Sequence, residues 1–177
     1  HLKAVAPYRS ARHDFQEGIL LDANENAFGS PVVIPGTALN RYPDPLQHTL
    51  RKRLASLYGT DDRQVFVGVG SDEAIDLLIR VFCEPERDGV LIAEPTYGMY
   101  RVAAQLHNVR VSSVLLDERF CIDTGAVLAA CDPSVRMLFC CSPNNPTGNV
   151  LDPQAIRTLC NSFHGIVVVD EAYVEFA

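Results

Sequence analysis

The chain has 177 residues, 47% hydrophobic and 21% charged, a globular composition that excludes intrinsic disorder and is long enough to bury a core. Its formal net charge of −7 supplies no basic field for a nucleic-acid backbone, and Arg51, Lys52 and Arg53 sit among leucines at helical spacing, as a solvated face does. No run approaches the roughly 20 apolar residues that span a bilayer, and the start at His1, without Met or apolar leader, reads as a soluble chain excised from something longer.

The first 45 residues are polar and rich in Pro, Asn and Gly, and are expected to form an arm and a small-domain segment; residues 46–177 are expected to form the first part of a larger domain. Residues 46–58 place Leu46, Leu50, Leu54 and Leu57 on one helical stripe that stops at Gly59. Val65 to Val69 reads as a strand. The next helix opens at Ser71-Asp72-Glu73, with Ala74, Leu77, Leu78, Val81 and Phe82 predicted as its buried face. A strand over Val90 to Ala93 follows, then a helical stripe of Met99, Val102, Ala103 and Leu106, then a β-rich run from Val109 to Leu116. Asp123 or Thr124 caps a short helix through Cys131, which leads into the apolar run Met137 to Cys141. Asp152 followed by Pro153 predicts a capped helix lined by Ile156, Leu159, Cys160 and Phe163, ended by Gly165 before the strand Ile166 to Val169.

Apolar strands alternating with amphipathic helices predict an α/β fold: a mostly parallel sheet with helices on both faces. The six cysteines show no CxxC spacing and lie in apolar patterns, where a thiol acts as a small hydrophobe, which fits a reducing compartment. The five histidines are scattered, with no metal-binding spacing, and no metal site is assigned.

In open α/β sheets ligands bind beyond the carboxyl ends of the strands. Four such ends carry polar or aromatic groups: Gly70-Ser71-Asp72-Glu73 at a helix start, where free N–H groups can hold a phosphate; Glu94-Pro95-Thr96-Tyr97-Gly98; Ser142 to Gly148; and Asp170-Glu171-Ala172-Tyr173. Together they supply a phosphate cup, an aromatic plate, an amide on a proline-flanked turn, and an acid with a phenol three residues on. A flat, cationic, phosphorylated heteroaromatic would use all four, as pyridoxal 5'-phosphate (PLP) does.

These four runs resemble the signatures of fold-type I aminotransferases. Pro7 to Arg12, Leu21 to Asn26 and Arg41 to Pro45 are similar to the arm and following segments of histidinol-phosphate aminotransferases. The resemblance implies an incomplete fold-type I large domain that binds PLP. In it Asp170 pairs with the pyridine nitrogen, Asn145 and Tyr173 bind the ring hydroxyl oxygen, and Tyr97 stacks on the ring. Backbone N–H groups of Ser71, Asp72 and Glu73 hold the cofactor phosphate. Tyr42 reaches that phosphate from the neighbouring subunit of a homodimer, Tyr8 contacts the substrate phosphate, and Asn24 borders the substrate. The implied reaction moves an amino group between L-histidinol phosphate and 2-oxoglutarate in histidine biosynthesis.

Other readings stand beside this one. Asp170 could cap the following helix, Asn145 could serve only its turn, and Tyr100 reads as a core aromatic without a motif role. An aminotransferase for aromatic amino acids, or a decarboxylase of a phosphorylated amino acid, would keep the cofactor and change the substrate. A dinucleotide-binding dehydrogenase would use Gly68-x-Gly70 after a strand and Glu94 as the ribose acid, but Glu73 stands where that fingerprint has its third glycine. The chain has two lysines, Lys3 and Lys52, and the resemblance places the Schiff-base lysine beyond Tyr173. The 177 residues are therefore expected to be a truncated portion, inactive alone, with Val65 to Val69 left without its neighbouring strands; a catalytically silent binding module is the reading from another class.

Overall fold

A computed structural model describes Asp44 and residues 46–177. They belong to two compact units that divide between Gly68 and Val69, and the boundary expected at 45 and 46 adjoins residues outside those described.

In the first unit, helix α1 (His48–Tyr58) ends as its sequence predicts. Gly59 adopts φ 64° and its N–H donates to the Ala55 carbonyl, the left-handed cap for which glycine is favoured. The leucine stripe, however, is not the buried one. Ala55 is the buried residue of α1, and Leu46, Leu50 and Leu57 stay exposed. What packs there is polar: the Arg51 guanidinium donates to the Asp62 carbonyl (Nε, 3.0 Å) at a 3-10 turn, Asp62–Gln64. Residues 65–68 form no strand, although Val65 to Val69 was expected to be one. Phe66 is 62% exposed.

The second unit alternates helices and strands: α2 (Gly70–Phe82), β1 (Gly89–Glu94), α3 (Met99–Leu106), β2 (Arg110–Leu115), α4 (Thr124–Ala130), β3 (Val135–Cys141), α5 (Pro153–Ser162) and β4 (Ile166–Asp170). A 3-10 turn, Val174–Phe176, follows. The strands pair in parallel in the order β2-β1-β3-β4. Alternation sorts their side chains between two cores. Val90, Ile92, Met137, Phe139 and Cys141 meet Ile75 and Ile79 of α2 and Tyr100, Ala103 and Ala104 of α3. Leu91, Leu138 and Cys140 meet Val127 of α4 and Leu159 of α5 on the other face. The result is the predicted sheet covered on both sides.

Local chemistry starts and stops these elements. Asp123 caps α4 by accepting from the Ala126 N–H at 3.0 Å, and Asp152 caps α5 by accepting from Gln154 at 2.8 Å, with Pro153 at the first helical position. Gly165 is required by space, since a Cβ there would collide with the Arg136 carbonyl of β3.

Two helical faces differ from expectation. In α2 the buried residues are Ile75 and Ile79, while Val81 and Phe82 are 68% and 49% exposed. The helix is apolar on more than one side, and the sheet selects the isoleucine face. In α5, Leu159 is buried and Ile156 and Phe163 pack partly, but Cys160 is exposed. Cys121 is exposed as well, so four of the six cysteines, Cys83, Cys131, Cys140 and Cys141, take the hydrophobic role predicted for all; none forms a disulfide.

The turns after β1 and β3 are locked together by Asn144, which is 4% exposed. Its amide nitrogen donates to the Pro95 carbonyl (2.9 Å) and to Thr147 Oγ1 (2.7 Å), and its amide oxygen accepts from Thr96 Oγ1 (2.9 Å). Its own main chain closes the turn through Asn149 and Gly148. Asn144→Ala strips three side-chain bonds at roughly 1 kcal/mol each, and leaves buried groups without partners. We expect a loss of about 2–3 kcal/mol in denaturant unfolding of the protein expressed from its full open reading frame; a loss below about 0.5 kcal/mol would contradict the latch.

Burial pushes the Cys140 thiol up to about 12 from an ordinary 9.0, with the neighbouring Cys160 and Cys141 adding to the effect. Unfolded, this thiol releases its proton above about pH 9 whereas the folded one keeps it, so stability falls as pH rises from there. Between about pH 8.5 and 10.5 the Cys140 share is roughly 2 kcal/mol. Denaturation of wild type and Cys140→Ala at both pH values should show the smaller fall in the variant; equal falls would contradict it.

Candidate functional site

The parallel ladders bring the carboxyl ends of β1, β3 and β4 to one edge of the sheet, together with the start of α2. There Val69, Gly70, Ser71, Asp72, Tyr97, Cys141, Asn145, Asp170, Ala172 and Tyr173 line a cavity of about 250 Å³. Six side chains or peptides singled out from the sequence, those of Ser71, Asp72, Tyr97, Asn145, Asp170 and Tyr173, therefore face one space. Glu73 does not line it. Its carboxylate turns back to accept from the Val69 N–H at 2.5 Å, capping its own helix. Tyr8, Asn24 and Tyr42 lie outside the described residues.

At the start of α2, Gly70 adopts φ 78°, a conformation that L side chains rarely take. The N–H groups of Gly70, Ser71 and Asp72 fall in the first helical turn, where no intrahelical acceptor exists, and the positive end of the helix dipole lies there too. The Glu73 N–H, one position further, has the Val69 carbonyl as its intrahelical acceptor by the same geometry. The Gly70 N–H thus adjoins those of Ser71 and Asp72 at the open end of the helix. The Asp72 carboxylate, which would repel an anion, is engaged sideways: its Oδ1 accepts from the Tyr97 hydroxyl at 3.0 Å.

Asp170 ends β4 and sits opposite Cys141 in the β3–β4 register. Its carbonyl extends the ladder by accepting from the Ser142 N–H at 2.9 Å. The carboxylate is held on both oxygens. Oδ2 accepts from the Tyr100 hydroxyl at 2.7 Å, and Oδ1 from the Ala172 N–H at 3.1 Å. The second bond is the turn-capping role that a strand-end aspartate can have, so Asp170 caps locally while lining the cavity.

Asn145 is half-buried beside the Asn144 latch, at a turn whose Ser142–Pro143 and Asn145–Pro146 peptides are cis, as is Glu94–Pro95. Tyr97 stands between α2 and α3, its ring packed edge-on against Tyr100 with centroids 5.7 Å apart and planes at 87°. Sequence reasoning assigned no role to Tyr100 and overlooked Asn144 as a separate residue. The signal for Tyr100 was a second tyrosine three residues after Tyr97, at the first turn of α3; the signal for Asn144 was a second amide in a proline-bounded turn.

The donor set fits a planar, phosphorylated, protonatable heteroaromatic. First-turn N–H groups suit a phosphate, a carboxylate suits a protonated ring nitrogen, an amide and a phenol suit a ring oxygen, and an aromatic face suits the ring. The dinucleotide arrangement fits poorly. The residues before Gly68 form no strand, and Glu94, its supposed ribose acid, accepts from Arg101 at 2.7 Å. Among the described residues no group of three or more metal-ligating side chains occurs, and no helix is long and apolar enough to cross a membrane.

Comparison with known proteins agrees with this geometry. The chain is 48% identical over 179 residues to the histidinol-phosphate aminotransferase of Cytophaga hutchinsonii, a match covering 100% of this chain and 51% of that protein. It is 50% identical over 175 residues to that of Parabacteroides distasonis, covering 98% and 49%. The crystal structure of the histidinol-phosphate aminotransferase from Clostridium acetobutylicum superposes with a TM-score of 0.67 at 27% identity, covering 78% of this chain and 40% of that one. The chain spans about half the length of the curated relatives it matches. Residues 16–177 match the family model for aminotransferase class I and II, and the chain belongs to that family.

Proposed function

We propose that these residues form the cofactor-binding part of a PLP-dependent aminotransferase that transfers an amino group between L-histidinol phosphate and 2-oxoglutarate in histidine biosynthesis. The observation that carries the reading is the convergence of Asp170, Asn145, Tyr97, Tyr173 and the start of α2 on one cavity. PLP is the cofactor the aminotransferase family implies, and when bound it supplies an electron sink that stabilises a carbanion at the substrate carbon. The names of the Cytophaga and Parabacteroides relatives support the substrate.

Each side chain has a part in this reading. Asp170, oriented through both oxygens, holds the proton on the ring nitrogen. Asn145 donates its amide, and Tyr173 its phenol, to the ring hydroxyl oxygen, which keeps the ring from rotating. Tyr97 covers one face of the ring, its tilt set by the bond to Asp72 and by Tyr100. The N–H groups of Gly70, Ser71 and Asp72 hold the phosphate. Charge-assisted hydrogen bonds contribute about 1.5–3 kcal/mol each, so several together anchor the cofactor without a covalent link. Neither Lys3 nor Lys52 follows β4, so the lysine that carries the cofactor and moves the substrate proton lies outside these residues. In this reading Tyr42 would reach the cofactor phosphate from the neighbouring subunit of a homodimer, Tyr8 would contact the substrate phosphate and Asn24 would border the substrate. The free thiols fit a cytoplasmic enzyme.

The protein expressed from its full open reading frame is expected to take up PLP, seen as absorption in the near ultraviolet to visible, and to transaminate histidinol phosphate in preference to aromatic amino acids. Asp170→Ala should weaken cofactor binding by about 10- to 100-fold, the loss of one charge-assisted bond. Unchanged binding in Asp170→Ala would overturn the site, and a preference for aromatic amino acids, or release of carbon dioxide, would overturn the substrate.

A further inference from the structure

Tyr100 is fully buried, does not line the cavity, and yet touches Asp170 and Tyr97, two of the groups that would hold the cofactor ring. Its hydroxyl donates to Asp170 Oδ2 at 2.7 Å. Its ring stacks on Phe139 of strand β3, with centroids 4.7 Å apart and planes 12° from parallel, and lies nearly perpendicular to the Tyr97 ring, with centroids 5.7 Å apart. Phe139 pairs with Val168, two residues before Asp170 in β4, so the ring that carries the hydroxyl is braced by the strand beside the carboxylate. The bond spans 70 residues of sequence and joins α3 to the end of β4.

We propose that Tyr100 is a positioning residue, which through its hydroxyl fixes the Asp170 carboxylate at the ring nitrogen of the bound cofactor and through its ring sets the tilt of Tyr97. This rests on the reading of the cavity as a PLP site. A carboxylate at a strand end has two soft torsions, and the Ala172 N–H restrains one oxygen only. The phenol holds the other from the core side, leaving outward lone pairs for a ligand. Burial, followed by the Cys141 thiol and the Asp170 carboxylate, pushes the Tyr100 phenol above its usual range, which keeps its proton available for the bond to Asp170. A purely structural tyrosine would need only its ring; the hydroxyl is the part that bears on the ligand.

The test uses Tyr100→Phe, which keeps the ring and removes the hydroxyl, in the protein expressed from its full open reading frame, stripped of cofactor and titrated with PLP. The variant should bind PLP about tenfold more weakly, the share of one hydrogen bond to a charged group. The pH dependence of the bound cofactor's absorption should also move by about one unit, since a loosened carboxylate holds the ring-nitrogen proton less well. Unchanged affinity and unchanged pH dependence would overturn the inference, even if the melting temperature of the cofactor-free variant falls. If wild type fails to take up PLP, the reading of the cavity fails and this inference with it. Should Tyr100→Phe not fold, Phe139→Leu, which removes the brace and keeps the hydroxyl, is expected to shift the same titration in the same direction, and an unshifted titration would overturn it.

Discussion

The parallel pairing of β3 with β1 on one side and β4 on the other is the constraint on which the site depends. β3 sets Cys141 opposite Asp170, and the Ser142 N–H carries the ladder one step past the strand into the Asp170 carbonyl. Parallel strands end at the same edge, so the turns that follow β1, β3 and β4 must emerge together. A one-residue slip would send Asp170 to the opposite face of the sheet. The two cores oppose that slip, because Ile166 and Val168 would trade places with Val167.

Polar groups inside this framework are satisfied by one another before any ligand arrives. Asn144 joins two turns, Ser142 Oγ accepts from the Leu151 N–H at 3.0 Å, and Tyr100 answers Asp170. Buried polar atoms without partners cost about 1–3 kcal/mol each, so these bonds hold the turns rigidly and the cavity walls keep their positions. The Asp170 carboxylate, which accepts from Tyr100 and Ala172 and lines the cavity, has lone pairs beyond those two bonds. Rigid turns with spare capacity are what recognition of a small planar ligand requires.

Much of this was legible from the chain. The strands of the sheet read directly as apolar runs, and the Asp123 and Asp152 caps and the Gly59 stop behave as their residue types dictate. What did not follow was anything decided by a distant partner. The segment 65–68 has strand composition yet forms no strand, because a strand needs a ladder and composition alone does not supply one. Helix α2 has apolar residues on more than one side, and periodicity alone could not say that Ile75 and Ile79, rather than Val81 and Phe82, would meet the sheet. Tyr100 looked like core and is core; that its hydroxyl reaches Asp170 depends on the register of β4, which local sequence does not encode. That the Glu73 carboxylate accepts from the Val69 N–H depends on where helix α2 starts, which the motif alone does not say.

The claim that these strand ends form one cofactor cradle is tested most directly by a crystal structure of the protein from its full open reading frame grown with PLP. The account predicts an Asp170 oxygen within about 3 Å of the ring nitrogen, with Tyr97 over the ring and the phosphate at the first turn of α2. A cofactor bound elsewhere, or bound here with Asp170 turned away from the ring nitrogen, would contradict it.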